Sequence, residues 1–207
     1  MTILLSDPRV SAIPVHECGE PLVTLDASFG PAAARVRGGL AERLGTARDL
    51  LPTGIHLRVV EGHRSVTAQR AIIARYSAEI RAARPGIPAA ELRVLTSRFV
   101  SPVDVAPHVA GAAIDLTLVD ARGEELDLGT AIDATPEQSQ ERCYFAATDI
   151  SRVARSHRDL LAAVLGSAGL VNYPTEWWHW SYGDRYWALV TGNSACYGPV
   201  GTEASAA

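Results

Sequence analysis

"VNYPTEWWHWSYGDRYWALV", Val171 to Val190, holds all four tryptophans and three of the six tyrosines of a 207-residue chain. Only 6% of the chain is aromatic, so much of the bulk available for a core is gathered here. Its two halves, "VNYPTEWWHW" and "RYWALV", predict a pair of strands, with "SYGD" as the turn between them. Such a hairpin closes a mainly antiparallel sheet on which upstream helices can pack. The predicted fold class is α+β, a central antiparallel sheet flanked by helices. Glu176 and His179 sit inside this aromatic stretch, where packing alone does not call for them.

Upstream, "FGPAAARVRGGLAERLGTARDLLPTG" places Val36, Leu40, Leu44, Ala47 and Leu51 on one helical face. Pro31 suits the first turn of that helix, and Pro52 with Gly54 stops it. "IHLRVVEG" alternates Ile55, Leu57 and Val59 against His56 and Arg58, the pattern of a half-buried strand. Ser65 caps a helix reaching about Ala83, with Ile72, Ile73, Tyr76 and Ile80 as its buried stripe, and a shorter helix follows Pro88. "SPVDVAPH" reads as loop, "AAIDLTLVD" as strand, and "ARGE" as a turn into a short strand near Leu126. "GTAIDATPEQSQER" has no period and reads as an ordered loop. A last long helix runs from about Ser151 to Ala168, with Val153, Leu160, Leu161, Val164 and Leu165 inside and Gly169 as its cap.

The length suits one domain over residues 1–207, with a frayed tail from about residue 200. A net charge of -4 excludes the basic surface that nucleic acid or anionic lipid would need. The N-terminal apolar run covers only Ile3 to Leu5, and no stretch approaches the ~18 apolar residues of a membrane span. The expected location is the cytoplasm. Cys18, Cys143 and Cys196 form neither a CxxC pair nor a disulfide framework, and read as buried small hydrophobes in a reducing compartment.

Of the six histidines, His16, His56 and His157 read as structural or surface residues. His108 opens "HVAGAAIDL", an H-x-x-G-x-x-x-D arrangement ending on Asp115. A loop histidine, a glycine that lets the chain bend and a strand carboxylate can bring two ligands to one metal. An acid between Ile114 and Leu116 is costly to bury unless a cation or metal partners it. His179 would complete three ligands with an open position for water, and Glu176 would be the base beside them. In a regular strand a spacing of three sends Glu176 and His179 to opposite faces, so their convergence requires a turn or bulge, for which Pro174 gives an opening. The competing reading makes both polar members of a core hairpin, paired with Arg185. Arg64, between a strand and a helix, suits either an oxyanion or a surface ion pair. No Walker loop, GxGxxG or G-x-S-x-G is present.

"PHVAGAAIDLTL" combined with "NYPTEWWHWSYGD" closely resembles the VanX-type D-alanyl-D-alanine dipeptidases, zinc peptidases related in fold to D,D-carboxypeptidases and the hedgehog domain. The likeness runs from about "VHECGEPLV" to "YGPV". It implies one zinc ion (Zn2+) per chain on His108, Asp115 and His179, with Glu176 as catalytic base. It further implies that Arg64, matching the arginine of the family's "GYR" segment, stabilises the transition state. Asp133, in "LGTAID", resembles the acidic position that holds the substrate's free amino group. The implied partner is a small D,D-dipeptide, and the implied reaction is hydrolysis of D-Ala-D-Ala to two D-alanines. Two other readings stand beside it: a zinc D,D-carboxypeptidase or endopeptidase on longer wall peptides, and a non-catalytic zinc-containing binding domain. Ala106 and Pro107 depart from the family pattern before the first histidine, as do His63 and Ser65 around the arginine. These positions are expected around the substrate, away from the metal.

Overall fold

The computed structural model describes residues 2–201; of the tail expected from residue 200, residues 202–207 lie outside that range. In chain order the helices and strands are α1 (Pro8–Ser11), β1 (Leu22–Thr24), β2 (Arg35–Arg37), α2 (Gly38–Asp49), β3 (Ile55–Glu61), α3 (Val66–Ala83), α4 (Ala89–Thr96), β4 (Ala113–Asp120), α5 (Pro136–Ser139), α6 (Arg152–Ser167), β5 (Val171–Asn172), β6 (His179–Ser181) and α7 (Arg185–Thr191). β1 pairs with β2, and a four-stranded sheet has the order β3-β4-β6-β5. All of these pairings are antiparallel, so the fold class is α+β as the sequence predicts.

The two faces of the main sheet have different chemistry. Leu57 and Val59 of β3, Ile114, Leu116 and Leu118 of β4, and Trp180 of β6 join Leu40 and Leu44 of α2 and Leu161 and Leu165 of α6 in the largest apolar cluster. The opposite face carries a polar row. Asp115 at the centre pairs with Glu61 on one side and His179 on the other. Cross-strand partners share a face, so three polar side chains meet in one line across the sheet. The register of β3 shifts between Val59 and Glu61, and this bulge sets Glu61, rather than Val60, opposite Asp115.

Several sequence expectations need correction. "RYWALV" is not a strand but α7, because Asp184 caps it, accepting from the backbone N–H groups of Tyr186 and Trp187. "VNYPTEWWHW" is two short strands separated by a turn, not one. The helix expected from Pro31 starts only at Gly38, because Arg35–Arg37 pairs with Leu22–Thr24 as β2. "GTAIDATPEQSQER" contains the short capped helix α5. Near Leu126 there is a single bridge, Val119 to Glu125, in place of a strand. Val153 is exposed, whereas Arg158 is fully buried in α6. Cys143 is buried as expected, but Cys18 is exposed and Cys196 only half-buried. Among the described residues no helix is long and apolar enough to cross a membrane.

Candidate active site

His108 lies on the loop before β4, where Gly111 turns the chain at φ 65°. A Cβ on Gly111 would stand 2.4 Å from the Leu22 side chain, so the turn admits only glycine. His108 is then fixed at both ring nitrogens. Nδ1 donates to the Gly62 carbonyl at 2.7 Å, which leaves Nε2 as the lone-pair end facing the sheet. Nε2 lies 3.1 Å from His179 Nδ1 and 3.1 Å from Asp115 Oδ2. His179 Nδ1 is in turn 3.0 Å from Asp115 Oδ1. All three residues are buried, and among the described residues they are the group able to hold a metal ion.

Glu176 reaches the same place by a turn. Its N–H donates to the Tyr173 carbonyl, and its own carbonyl accepts from the N–H of His179. The Asn172 side chain also donates to that carbonyl at 2.9 Å. The turn resolves the problem of a spacing of three: Glu176 precedes β6, and its Oε2 comes to 3.8 Å from His179 Nδ1. Trp177 and Trp178, both fully buried, pack edge to face beside it. Arg185 is elsewhere, donating to the carbonyls of Ser11 and Ile13, so the core-hairpin pairing expected as the alternative does not form.

Charge and burial act together on these groups. Burial, and then the Asp115 and Asp133 carboxylates, push Glu176 well above the ordinary carboxylate range, against the pull of Arg64. Asp115 also suffers from burial, but His108 and His179 overcome it and hold the carboxyl well below that range. Burial works against a protonated His108, yet Asp115 outweighs it and raises the ring; for His179 burial prevails and lowers it.

Arg64 lines the cleft, held by an ion pair with Glu61, to which both Nε and Nη2 donate. Its Nη1 donates to Gln69 Oε1 at 2.9 Å, and Gln69 Nε2 donates to the Ser101 carbonyl at 2.8 Å. Three of the five guanidinium N–H groups are thereby used, leaving two. Asp133 stands on the cleft wall at φ 62°. Its side chain reaches solvent, but the surrounding wall, then Asp115 and Glu61, raise its pKa. The loop bearing Asp133 is gripped from below by Arg158, whose guanidinium donates to the carbonyls of Leu128, Arg142, Tyr144 and Phe145.

The cleft encloses about 340 Å³, and Leu5, Ile72, Tyr76 and Phe99 give it an apolar side. His63, Ser65, Ala106 and Pro107 are not among the residues that line it. Sequence reasoning missed Glu61, Gln69 and Gly62. The first two have a signal in hindsight, an acid three residues before Arg64 and an amide five after; a backbone carbonyl has none.

Water activation by a metal is the chemistry that such a donor group with an adjacent carboxylate suits, and this places the chain among the metallopeptidases. Residues 53–195 match the M15 peptidase family described as D-ala-D-ala dipeptidase, and the chain belongs to that family. A D-alanyl-D-alanine dipeptidase of Synechocystis sp. is 29% identical over 86% of this chain and 87% of its own length. A second, from Escherichia coli, is 32% identical over 46% of this chain and 48% of its own. A solved structure of the vancomycin resistance D,D-pentapeptidase VanY in complex with Zn(II) covers 90% of this chain and 97% of its own, at 16% identity and a TM-score of 0.47.

Proposed function

We propose that the protein hydrolyses D-Ala-D-Ala to two D-alanines, with zinc on His108, Asp115 and His179 and Glu176 as general base. The observation carrying this reading is the convergence of three donors: His108 Nε2 and His179 Nδ1 lie 3.1 Å apart, and each is 3.0 to 3.1 Å from a different oxygen of Asp115. Tetrahedral zinc with bonds of about 2.0–2.1 Å requires ligand separations of roughly 3.3 Å, so the two imidazole nitrogens need to part by only a few tenths of an ångström. Two imidazoles and one carboxylate also leave a fourth position open. Zinc held there would supply Lewis acidity, polarising a carbonyl and lowering the pKa of water.

Glu176 accepts the proton of the attacking water and returns it to the leaving amine of the second D-alanine. Its desolvated setting strengthens it as a base, since burial disfavours the bare carboxylate. Arg64 offers its two remaining N–H groups to the developing oxyanion, while Glu61 and Gln69 keep the guanidinium from following the substrate. Asp133 pairs with the free ammonium of the dipeptide, which favours a dipeptide over a longer chain.

The test is a panel of D- and L-dipeptides beside an N-acylated D-Ala-D-Ala tripeptide, assayed with zinc and with chelator. Hydrolysis of D-Ala-D-Ala that is lost on chelation and restored by zinc is the expected result. Faster cleavage of the acylated tripeptide would shift the reading to a carboxypeptidase. Zinc binding without hydrolysis of any D,D-peptide would leave a binding domain.

A further inference from the structure

Residues 15–18 and 195–198 run side by side at the surface. Val15 forms a parallel bridge with Ala195, the N–H of His16 donates to the Ala195 carbonyl at 2.8 Å, and that of Cys18 to the Cys196 carbonyl at 3.0 Å. A disulfide spans about 4.4–6.8 Å between α-carbons, and the direct backbone hydrogen bond between the two cysteines holds theirs close together. The two thiols are within hydrogen-bonding reach of each other, and both line one surface depression with Glu20 and Tyr197.

The C-terminal segment here is also a strap, bonded outside the cleft to backbone near two of the site residues. The N–H groups of Cys196 and Tyr197 both donate to the Gly183 carbonyl, at 2.8 and 3.0 Å, just beyond the strand that carries His179. The N–H of Val200 donates to the carbonyl of Val109, next to His108. Gly183 adopts φ 78°, and a Cβ there would meet the Tyr197 ring at 2.5 Å, so strap and loop are fitted closely.

We propose that Cys18 and Cys196 form a reversible disulfide that locks the N-terminal segment onto this strap. A small-molecule disulfide such as oxidised glutathione is the oxidant. The exposed Cys18, as thiolate, attacks one glutathione sulfur and releases one glutathione. Cys196 then loses its proton and attacks the Cys18 sulfur of the mixed disulfide, releasing the second. Two thiol protons and two electrons leave the protein, and one S–S bond of glutathione is exchanged for one in the chain. Burial, then Cys18 and the neighbouring Glu20 and Glu17, push the Cys196 thiol up to about 11, so it stays protonated at first and its attack in the second step relies on its proximity to Cys18. Neither sulfur touches the cleft, so the linkage is independent of the catalytic reading.

The full chain, zinc-loaded, is incubated with oxidised glutathione and followed by intact mass, non-reducing peptide mapping and thermal unfolding. A monomer about 2 Da lighter, with Cys18 joined to Cys196, is expected. Because the bond closes a loop of about 180 residues, Tm should rise on the order of 10 °C and fall back with dithiothreitol. Cys143→Ser should behave as the parent, and Cys196→Ser should show neither change. A glutathione adduct left unresolved on Cys18, a link to Cys143 or between two chains, or the expected link with unchanged Tm would each overturn the proposal.

Discussion

Glu176 sits where its charge is disfavoured, and two measurable effects follow from that single carboxyl. Glu176→Gln should retain zinc and lose roughly 10² to 10⁴ in kcat, the usual contribution of a general base; turnover at the parental rate would remove the residue from that role. The same variant should alter the pH dependence of folding. A carboxyl raised from its ordinary 4.5 binds its proton more tightly in the folded chain than in the unfolded one. Its contribution is complete below that ordinary value and is lost as pH climbs through the folded one. In chelator, urea unfolding should therefore show Glu176→Gln gaining stability relative to the parent as pH rises from 4 to 8. A constant difference across the range would contradict the desolvation of Glu176. Arg64 poses the other question at this scale, because its ion pair with Glu61 is real and its role on substrate is proposed. Arg64→Ala should cost about 3–4 kcal/mol in kcat/KM, the scale of one oxyanion donor, and about 1–3 kcal/mol in unfolding free energy, because the buried Gln69 Oε1 loses its donor. Equal losses would return Arg64 to the status of a structural ion pair.

Among the elements, the long amphipathic helices and the two long strands were legible because their periods are regular. Ser65 and Ser151 cap α3 and α6 as the sequence predicts, and β3 and β4 occupy the expected ranges. What misled was a competition between two local preferences. "RYWALV" is rich in residues that favour strands, but the Asp184 cap directly before it satisfies two N–H groups and commits the segment to helix. The bulge at Val60 left no trace in the alternation of β3, so the partner of Asp115 was hidden. The grouping of His108, Asp115 and His179 was legible because their chemistry is rare, whereas the residues that hold them are ordinary and depend on register. Arg158 is the least predictable of these, a full charge placed inside a helix face among leucines. It bonds four carbonyls of the loop that bears Asp133 and stacks over Trp177. Arg158→Met should lower unfolding free energy by on the order of 4 kcal/mol, since each orphaned carbonyl costs about 1–3 kcal/mol and water can reach some of them. It should raise KM for the dipeptide more than it lowers kcat, because the loop it frees carries Asp133 and not His108, Asp115, Glu176 or His179. A larger effect on kcat would separate this loop from ammonium binding.

At the scale of the whole molecule, the three donors come from parts of the chain that meet only in the folded sheet. A metal that binds them therefore binds the folded state and little else. At a hundredfold excess over its Kd, zinc should add about 2.7 kcal/mol, or roughly 5–10 °C in Tm for a chain of this size. Differential scanning with and without chelator measures this, and His108→Ala should show no difference between the two conditions. The grip of Arg158 has one more consequence, for motion. Both ends of the loop from Leu128 to Phe145 are tied to α6 through that one guanidinium, and the loop is bonded as well to the turn before β6, by the Phe145 N–H to the Pro174 carbonyl and the Trp177 N–H to the Cys143 carbonyl. Hydrogen exchange should find its protected amides opening together and at the same free energy as α6, as a single cooperative unit. The wall that bears Asp133 would then swing free or stay shut as a whole, while the strands beneath it keep their shape.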